Sequence, residues 1–420
     1  MHDIKLFREQ PELLRTAMER RGDDPSIVDR IQALDIERRE LLTELEALRA
    51  ERNVSSKAIG AERDPQRRAA AIEAMAGLKS RIGELEPRLA EVETALHASM
   101  QQVPNIPADG VPLGKDEQDN VVRRSWGEKP SFDFEPQAHW DLGAARGLID
   151  FERGVKLSGS RFYVLYAGAA RLQRALIQYM LDFHTARGYT EVQLPYVVKE
   201  ACMWNAGQLP KFYDNLYRDH EDDLWLVPTA EVPLTNLHVD EILEAEALPL
   251  HYVAYTPCFR REKMSAGRDV RGIKRGHQFD KVEMYKFTLP ETSSDELEAM
   301  LADGEALLQS LGLPYRVLQL CTGDLGFGST ITYDLEVWAA GCGEWLEVSS
   351  ISDFGSFQAR RAGVRFRREP GAATEFCHTL NGSGLGLPRV MIALFENSQA
   401  ADGSIRVPEV LRDRMGVDRI

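Results

Sequence analysis

The chain has 420 residues, of which 43% are hydrophobic and 28% charged, and it carries a formal net charge of −15. This composition is typical of a soluble globular protein, and the length predicts two or three domains. The acidic balance argues against general coating of nucleic acid, so contacts with nucleic acid are expected only in local basic patches. No apolar run reaches the length of a membrane span, and the charged N-terminus lacks the apolar segment of a signal peptide. We therefore expect a cytoplasmic protein without membrane contact.

The five cysteines are scattered along the chain, and no pair has the short spacing of a zinc site or a redox dithiol. Reduced, buried cysteines are the ordinary explanation for such a pattern. We expect neither zinc nor a structural disulfide. The cysteines are Cys202, Cys258, Cys321, Cys342 and Cys377.

A long heptad pattern follows a short helical segment that ends at Asp24-Pro25. Its first run steps by four and three residues from Ile27 to Leu48, and a second run does so from Leu78 to Leu96. Such seams predict two helices of an antiparallel coiled coil, about 45 Å long for about 30 residues each. A spacer or dimerisation coiled coil is the alternative. The tip, residues 49–68, has six cations and three acids, including Arg49, Arg52 and Lys57, which favours contact with a polyanion.

The heptad runs and the stretch that follows them divide the chain into three parts. These are a helical N-terminal domain, residues 1–103, a linker at 104–116 and a larger domain, 117–420. The linker is rich in proline and glycine. An amphipathic helix is predicted at 167–187. Few helices separate the strands that follow, so their sheet should be largely antiparallel.

Residues 257–287 form a basic hairpin that contrasts with the acidic background. Between positions 260 and 275 there are seven Lys or Arg residues and two acids. Strand alternation would group Arg260 with Glu262, and Phe279 with Lys281 and Glu283. A guanidinium, a carboxylate and an aromatic ring can clamp a phosphate, hold a base amino group and stack a purine. A solvated hairpin is the alternative.

Three further segments carry polar groups suited to binding. Thr229 and Glu231 could grip an ammonium group, although helix capping is the favoured interpretation of this pair. Glu347 and Ser350 offer hard oxygen ligands for magnesium on a predicted hairpin strand. Asn381-Gly-Ser-Gly precedes Arg389 at a helix start, where an arginine is best explained by an anion bound beside it.

Taken together, these segments resemble the seryl-tRNA synthetases of the common bacterial type over essentially the whole chain. The resemblance rests on TAE at 229–231, FRRE at 259–262, HQFDKVE at 277–283, EVSS at 347–350, FQARRAGVRFR at 357–367 and HTLNGSG to Arg389. It implies an α+β fold, in which helices flank the six-stranded antiparallel sheet of a class II synthetase and a coiled-coil arm precedes it. It also implies a homodimer.

The activity implied is ATP-dependent activation of L-serine and its transfer to tRNA(Ser), and to tRNA(Sec) where that tRNA is present. Arg260, Glu347 and Arg389 would be catalytic, with Mg²⁺ held by Glu347 and Ser350. The residues implied for ATP are Arg260, Arg261, Glu262, Phe279, Glu347, Val348, Ser349, Ser350 and Arg389. Those implied for serine are Thr229, Ala230, Glu231, Glu283, Asn381 and Ser383. The residues expected at tRNA are Arg49, Arg52, Lys57, Lys263, Arg268, Arg271, Lys274 and Arg275.

Some positions depart from the family pattern. Arg261 stands where serine is usual, Lys263-Met264 where Ala-Gly is common, and Leu387-Pro388 where Val-Gly is usual. A ligase that loads an amino acid onto a carrier protein is the nearest alternative enzyme, but such relatives lack the arm. An inactive paralogue would be expected to lose Arg260, Glu347 or Arg389, and all three are present.

Overall fold

The computed structural model describes residues 1–263, 267 and 271–420. The chain forms two compact units, Met1–Ile106 and Pro107–Ile420. Among the described residues, none of the helices combines the length and the apolar character needed to cross a bilayer.

The N-terminal unit is entirely helical. Its helices are α1 (Ile4–Glu9), α2 (Pro11–Arg21), α3 (Ser26–Ala61) and α4 (Pro65–Met100). The heptad seams bring α3 and α4 together, and Leu45, Ile82 and Leu85 are buried between them. Nearer the base, Ile31 and Leu96 pack with α1 and α2. The predicted coiled coil is therefore confirmed.

The two long helices run antiparallel, as the ion pairs that join them show. Arg38 contacts Glu93 at 3.0 Å near one end, and Arg49 contacts Glu86 at 2.7 Å further along. Each helix has 36 residues, a length of about 54 Å. The connection between the two helices is short, because only residues 62–64 are non-helical and Asp64 caps the start of α4.

The larger unit is a sheet flanked by helices. Its helices are α5 (His139–Ala145), α6 (Phe151–Ser158), α7 (Ala167–Thr185), α8 (Glu200–Asn205), α9 (Glu231–Thr235), α10 (Ser293–Ser310), α11 (Phe357–Ala362), α12 (Leu387–Asn397) and α13 (Arg412–Met415). Its strands are β1 (Val121–Trp126), β2 (Ile149–Asp150), β3 (Val164–Leu165), β4 (Thr190–Glu191), β5 (Val197–Lys199), β6 (Leu224–Leu226), β7 (Ile242–Glu244), β8 (Leu250–Phe259), β9 (Gln278–Thr288), β10 (Tyr315–Gln319), β11 (Ile331–Ala339), β12 (Glu344–Asp353), β13 (Arg365–Arg367), β14 (Thr374–Phe376) and β15 (His378–Gly386).

The main sheet has eight strands in the order β1-β10-β11-β12-β15-β9-β8-β4, so the expected number of six is wrong. The six inner strands are antiparallel throughout, as predicted. The additional strands are the edges: β1 pairs antiparallel with β10, and the two-residue β4 pairs parallel with β8. The two residues of β4 are too few for a sequence pattern, and all six residues of β1 are exposed, so β1 lacks a buried apolar face.

Helices α7, α10 and α12 cover one face of this sheet. Leu176 of α7, Met300 of α10 and Leu394 of α12 belong to one buried apolar cluster, together with Met284 of β9 and Leu335 of β11. In β9, the alternating residues Lys281 and Glu283 point instead to a cavity on the other face. The helices thus form the core, and the opposite face is left for polar groups.

Two elements differ from the sequence prediction. The Asn381-Gly-Ser-Gly segment, to which the sequence assigned no strand, lies within strand β15. Its glycines serve packing, because a Cβ at Gly382 would lie 2.8 Å from Ile351 and one at Gly384 would lie 2.6 Å from His184. Strand β8 ends at Phe259, so Arg260 and Glu262 follow the strand.

Replacing Leu176 by alanine should lower the free energy of unfolding of the larger unit by about 2–5 kcal/mol, because the side chain is fully buried. The Leu157→Ala variant is the matched control, since Leu157 is 75% exposed. Urea unfolding followed by tryptophan fluorescence reports on this unit, which contains all six tryptophans. Equal effects of the two substitutions would contradict the packing described.

Candidate active site

A cavity of about 620 Å³ lies on the polar face of the main sheet. Strands β9, β11, β12 and β15 contribute to its wall, together with the loop before α9, the segment after β8 and the start of α12. Most of the predicted ligand residues line this one cavity: Thr229, Glu231, Arg260, Glu262, Phe279, Glu283, Glu347, Val348, Ser350, Asn381, Ser383 and Arg389.

Three predicted residues do not line it. Ala230 is fully buried in an apolar cluster beside α9. The Ser349 hydroxyl donates to the carbonyl of Ser383 at 2.6 Å and so joins β12 to β15. Arg261 lines a separate depression of about 140 Å³, where its Nε donates to the carbonyl of Leu216 at 2.9 Å. These three residues therefore do not line the cavity, and their contacts with ATP or serine stay predictions.

Two carboxylates face the inner part of the cavity. Thr229 Oγ1 accepts a hydrogen bond from the backbone N–H of Glu231 at 3.2 Å, although the N-cap of α9 is Ala230 and no side chain caps this helix. The Glu231 side chain lines the cavity. Glu283, in β9, lies against Lys281, whose ammonium also donates to Thr229 Oγ1 at 2.8 Å. A buried cation thus connects the two segments that carry the carboxylates.

Gln358 of α11 holds the other side of Glu231. Its amide oxygen accepts from the hydroxyls of Tyr285 and Thr379, which orients its Nε2 toward Glu231 Oε1 at 2.6 Å. Burial, reinforced by the nearby charge of Glu283, raises the pKa of Glu231 to about 7. A carboxylate of this kind is ready to ionise when a cationic ligand arrives.

Arg260, predicted to contact a phosphate, directly follows the end of β8. Its Nε donates to the carbonyl of Pro228 at 3.1 Å, and its backbone N–H donates to the carbonyl of His277 at 2.9 Å. The guanidinium lies 5.2 Å from the ring centroid of Phe279. Glu262 has a φ of 50°, a left-handed conformation that turns the chain after Arg260. These contacts fix a cation beside an aromatic face.

Arg389 stands at the start of α12 beside Glu347. Its Nη1 donates to the carbonyl of Glu347 at 2.7 Å and lies 3.3 Å from the carboxylate oxygen Oε2. Its Nε is 3.4 Å from the carbonyl of Lys274. The pairing places the guanidinium in the cavity wall together with Glu347, where both groups can act on a phosphate chain.

Asp334 is a cavity residue that the sequence reasoning missed. Strand β11 pairs it with Ser350 of β12. Burial and the charge of Glu347 raise its pKa, and its Oδ1 has no hydrogen-bond partner. The sequence could have indicated Asp334, because the antiparallel register of the predicted hairpin pairs it with the EVSS segment. Lys281 and Gln358 were likewise not assigned roles.

The cations expected at tRNA lie in both units. In the N-terminal unit, Lys57 is exposed, Arg52 is partly exposed, and Arg49 forms the ion pair with Glu86 across the two helices. In the larger unit, Lys274 and Arg275 line the cavity, while Lys263 lines the smaller depression. Arg271 lies over the ring of Trp140 at 5.0 Å. Arg268 lies outside the described residues.

Family models match both parts of the chain. Residues 212–398 match the tRNA synthetase class II core domain (G, H, P, S and T), and residues 1–107 match the seryl-tRNA synthetase N-terminal domain. The fold and the cavity thus define a class II aminoacyl-tRNA synthetase.

Relatives identify the branch. A serine–tRNA ligase of Roseiflexus sp. (strain RS-1) is 63% identical over 99% of this chain and 98% of its own. A crystal structure of seryl-tRNA synthetase from Pyrococcus horikoshii complexed with ATP is similar with a TM-score of 0.93 and 38% identity, covering 100% of this chain and 99% of that one. The cytoplasmic enzyme of Naegleria fowleri in complex with AMP gives a TM-score of 0.87 at 30% identity, with coverage of 100% and 98%. The chain therefore belongs to the seryl-tRNA synthetase family and is a serine–tRNA ligase.

Replacing Lys281 by methionine should lower the free energy of unfolding by about 3–5 kcal/mol, because it leaves Glu283 buried without its cation. Guanidinium denaturation measures the change. The double variant Lys281→Met, Glu283→Leu should recover most of the loss, since it removes both charges. A double variant no more stable than the single one would show that the ion pair is not the cause.

Proposed function

We propose that the cavity binds ATP and serine side by side, with each ligand held by the residues that line it. Arg260 would hold the α-phosphate and Arg389 the γ-phosphate. Glu262 would contact the adenine amino group, and Phe279 would stack on the ring. The observation that carries the proposal is the meeting, in one cavity, of these two arginines with the carboxylates Glu231 and Glu283.

The carboxylate end of the cavity suits serine. Glu231 would face the ammonium group, because its pKa near 7 lets it ionise in response to a cation. Glu283, Asn381 and Ser383 would surround the hydroxyl, with Thr229 completing the pocket. A site that hydrogen-bonds a hydroxyl rejects alanine strongly, because its buried polar groups would lose their partner.

The donor set beside Arg389 fits a magnesium ion. Glu347 and Ser350 offer hard oxygen ligands, and burial together with the charge of Glu347 raises the pKa of the neighbouring Asp334. When bound there, magnesium would neutralise the charge of the phosphates. The chain's own residues would do the rest of the work by orienting the two substrates.

The reaction needs no side-chain nucleophile. The serine carboxylate would attack the α-phosphorus, and the bond to the β-phosphate oxygen would break and release pyrophosphate. Arg260 would neutralise charge at the reacting phosphorus, and Arg389 would stabilise the leaving group. The terminal 3′-hydroxyl of the tRNA would then attack the adenylate carbonyl and release AMP.

The protein would act as a cytoplasmic homodimer, and the tRNA would contact the N-terminal unit of one subunit and the larger unit of the other. Arg52 and Lys57 on the arm would contact the tRNA body, with Arg49 available if its pair with Glu86 opens. Lys263, Arg271, Lys274 and Arg275 would guide the acceptor end, with the undescribed Arg268. The arm of one subunit would present tRNA(Ser), or tRNA(Sec) where present, to the active site of the other, and residues 104–116 would link the N-terminal and catalytic domains.

The pH dependence of serine binding tests the pocket. Because the pKa of Glu231 is raised to about 7, the free protein is protonated there below pH 7, and the serine ammonium should favour loss of this proton. The dissociation constant for serine should therefore fall about tenfold between about pH 6 and about pH 8. Titration calorimetry in buffers of different ionisation enthalpy would detect the released proton.

The Glu231→Gln variant should bind serine about 10- to 100-fold more weakly and lose this pH dependence, because it cannot ionise. Glu369→Gln, at an exposed acid, is the matched control and should behave as the unmodified protein. Serine-dependent exchange of pyrophosphate into ATP should fall in parallel. An unchanged pH profile in Glu231→Gln would refute the assigned role, and absence of exchange in the unmodified protein would refute the proposed binding of serine and ATP in this cavity.

Shortening the arm separates the two half-reactions. Removing residues 41–89 and joining the helices with a short Gly-Ser turn retains the apolar base formed by Phe7, Ile31 and Leu96. Pyrophosphate exchange should stay within about twofold, while kcat/KM for tRNA charging should fall on the order of 100-fold because phosphate contacts are lost. The double substitution Arg52→Glu, Lys57→Glu is a milder companion variant. Equal loss of both half-reactions would show that the arm has a structural role only.

A further inference from the structure

A cluster of three side chains, two of them buried and one partly buried, lies behind the cavity wall. His139 begins α5, Cys342 lies in the turn between β11 and β12, and Glu396 lies near the end of α12. Their side-chain N, S and O atoms all lie within 4.8 Å of one another. None of the three lines the cavity, and the sequence spacing of the cysteines did not reveal the cluster.

The hydrogen bonds determine where the protons lie. The backbone N–H of Ile273 donates to His139 Nε2 at 3.1 Å, so this nitrogen must carry a lone pair. His139 Nδ1 therefore carries the proton and donates to Glu396 Oε1 at 2.8 Å. With both ring nitrogens occupied, the imidazole offers no lone pair to a metal ion, and the cluster is a hydrogen-bonded network.

Glu396 anchors this network. Its carboxylate also accepts from the backbone N–H of His139 at 2.9 Å, from the backbone N–H of Cys342 at 2.9 Å and from Cys342 Sγ at 3.0 Å. Burial opposes its ionisation, but these hydrogen bonds lower the pKa of the carboxyl. Burial also lowers the pKa of His139, which keeps the imidazole neutral, as its hydrogen bond from Ile273 requires.

The segment held by His139 leads directly into the cavity. Ile273 is 1% exposed and belongs to the main apolar core. Gly272, just before it, has a φ of 74°, and a Cβ there would lie 2.0 Å from His139 Nε2, so the close approach requires glycine. Just after it, the carbonyl of Lys274 faces Arg389 Nε at 3.4 Å, and Lys274 and Arg275 line the cavity.

Helix α5, which begins at His139, also contacts the cations of residues 271–275. Trp140 follows His139, and its ring lies 5.0 Å from the Arg271 guanidinium and 5.7 Å from the Lys274 ammonium. Glu396 is two helical turns from Arg389 on α12. Helix α12 therefore carries both Arg389, the proposed γ-phosphate ligand, and Glu396, which through His139 holds the segment that contacts Arg389.

We propose that His139 and Glu396 are positioning residues for adenylate formation. The pair seats residues 271–275 against α12, so that the Lys274 carbonyl orients Arg389 and the cations of the segment face the phosphates. Neither side chain touches a substrate. This inference rests on the proposed binding of ATP in the cavity, and it assigns a specific function to a buried pair outside that cavity.

Two substitutions at one position separate the two hydrogen bonds of His139. Gln can place an amide oxygen near the position of Nε2 and retain the acceptor for Ile273. Asn places its amide near Nδ1 and retains only the bond to Glu396. In pyrophosphate exchange, His139→Asn should raise the KM for ATP about tenfold, the effect of one lost hydrogen bond. His139→Gln should stay within about threefold, because the backbone N–H at position 139 still donates to Glu396. The KM for serine should change less than twofold in both variants.

Equal losses in the two variants, no change in either, or a matching rise in the KM for serine would overturn the proposal. Hydrogen–deuterium exchange of the unmodified protein provides a second measurement that does not depend on folding of a variant. The Ile273 amide should exchange as slowly as core amides of β9, and exchange at the rate of a free amide would overturn the proposal. Serine-dependent exchange by the unmodified protein distinguishes this outcome from failure of the proposed function.

Discussion

The period-two alternation of β9 between a helix-covered face and a polar face is the constraint on which the active site depends. Val282 and Met284 turn toward the core, so Lys281 and Glu283 must turn toward the cavity. A slip of one residue would bury the charged set beneath α7 and α12 and expose the apolar set. Because the cost of either change is large, the pairing of β9 with β8 and β15 fixes the positions of the carboxylates.

Charge balance on the polar face follows from this arrangement. The face carries acids from β9, from β12 and from the start of α9, namely Glu283, Glu347 and Glu231. Lys281 neutralises the inner part, and Arg389 pairs with Glu347 near the start of α12. Burial, together with the charge of Glu283, raises the pKa of Glu231, so a cationic ligand would favour its ionised form. The ammonium group of an amino acid would neutralise the carboxylates, and phosphates with their metal ion would bind beside the arginines. These two interactions suit a ligase that activates an amino acid.

Hydrogen bonds behind the cavity wall hold the side chains and strands that form the wall. Gln358 orients toward Glu231 because two hydroxyls occupy its amide oxygen, and Ser349 joins β12 to β15 instead of facing a ligand. The His139–Glu396 pair extends this support to the segment beside Arg389. Such contacts are what hold a site in a productive geometry, and they come from residues far apart in the chain.

Local patterns in the sequence determined the coiled-coil arm, the antiparallel character of the sheet and many of the charged and polar residues that line the cavity. Heptad spacing and strand alternation are properties of neighbouring residues, so Leu45 and Ile82 of the arm, and Glu283 of β9, could be placed from the sequence. Only the tertiary structure decided the rest. The edge strand β4, the strand conformation of Asn381–Gly384, the turning away of Arg261 and the meeting of His139 with Cys342 and Glu396 depend on contacts between distant segments. No local preference encodes such contacts, because the partner that satisfies each group becomes available only when the chain has folded.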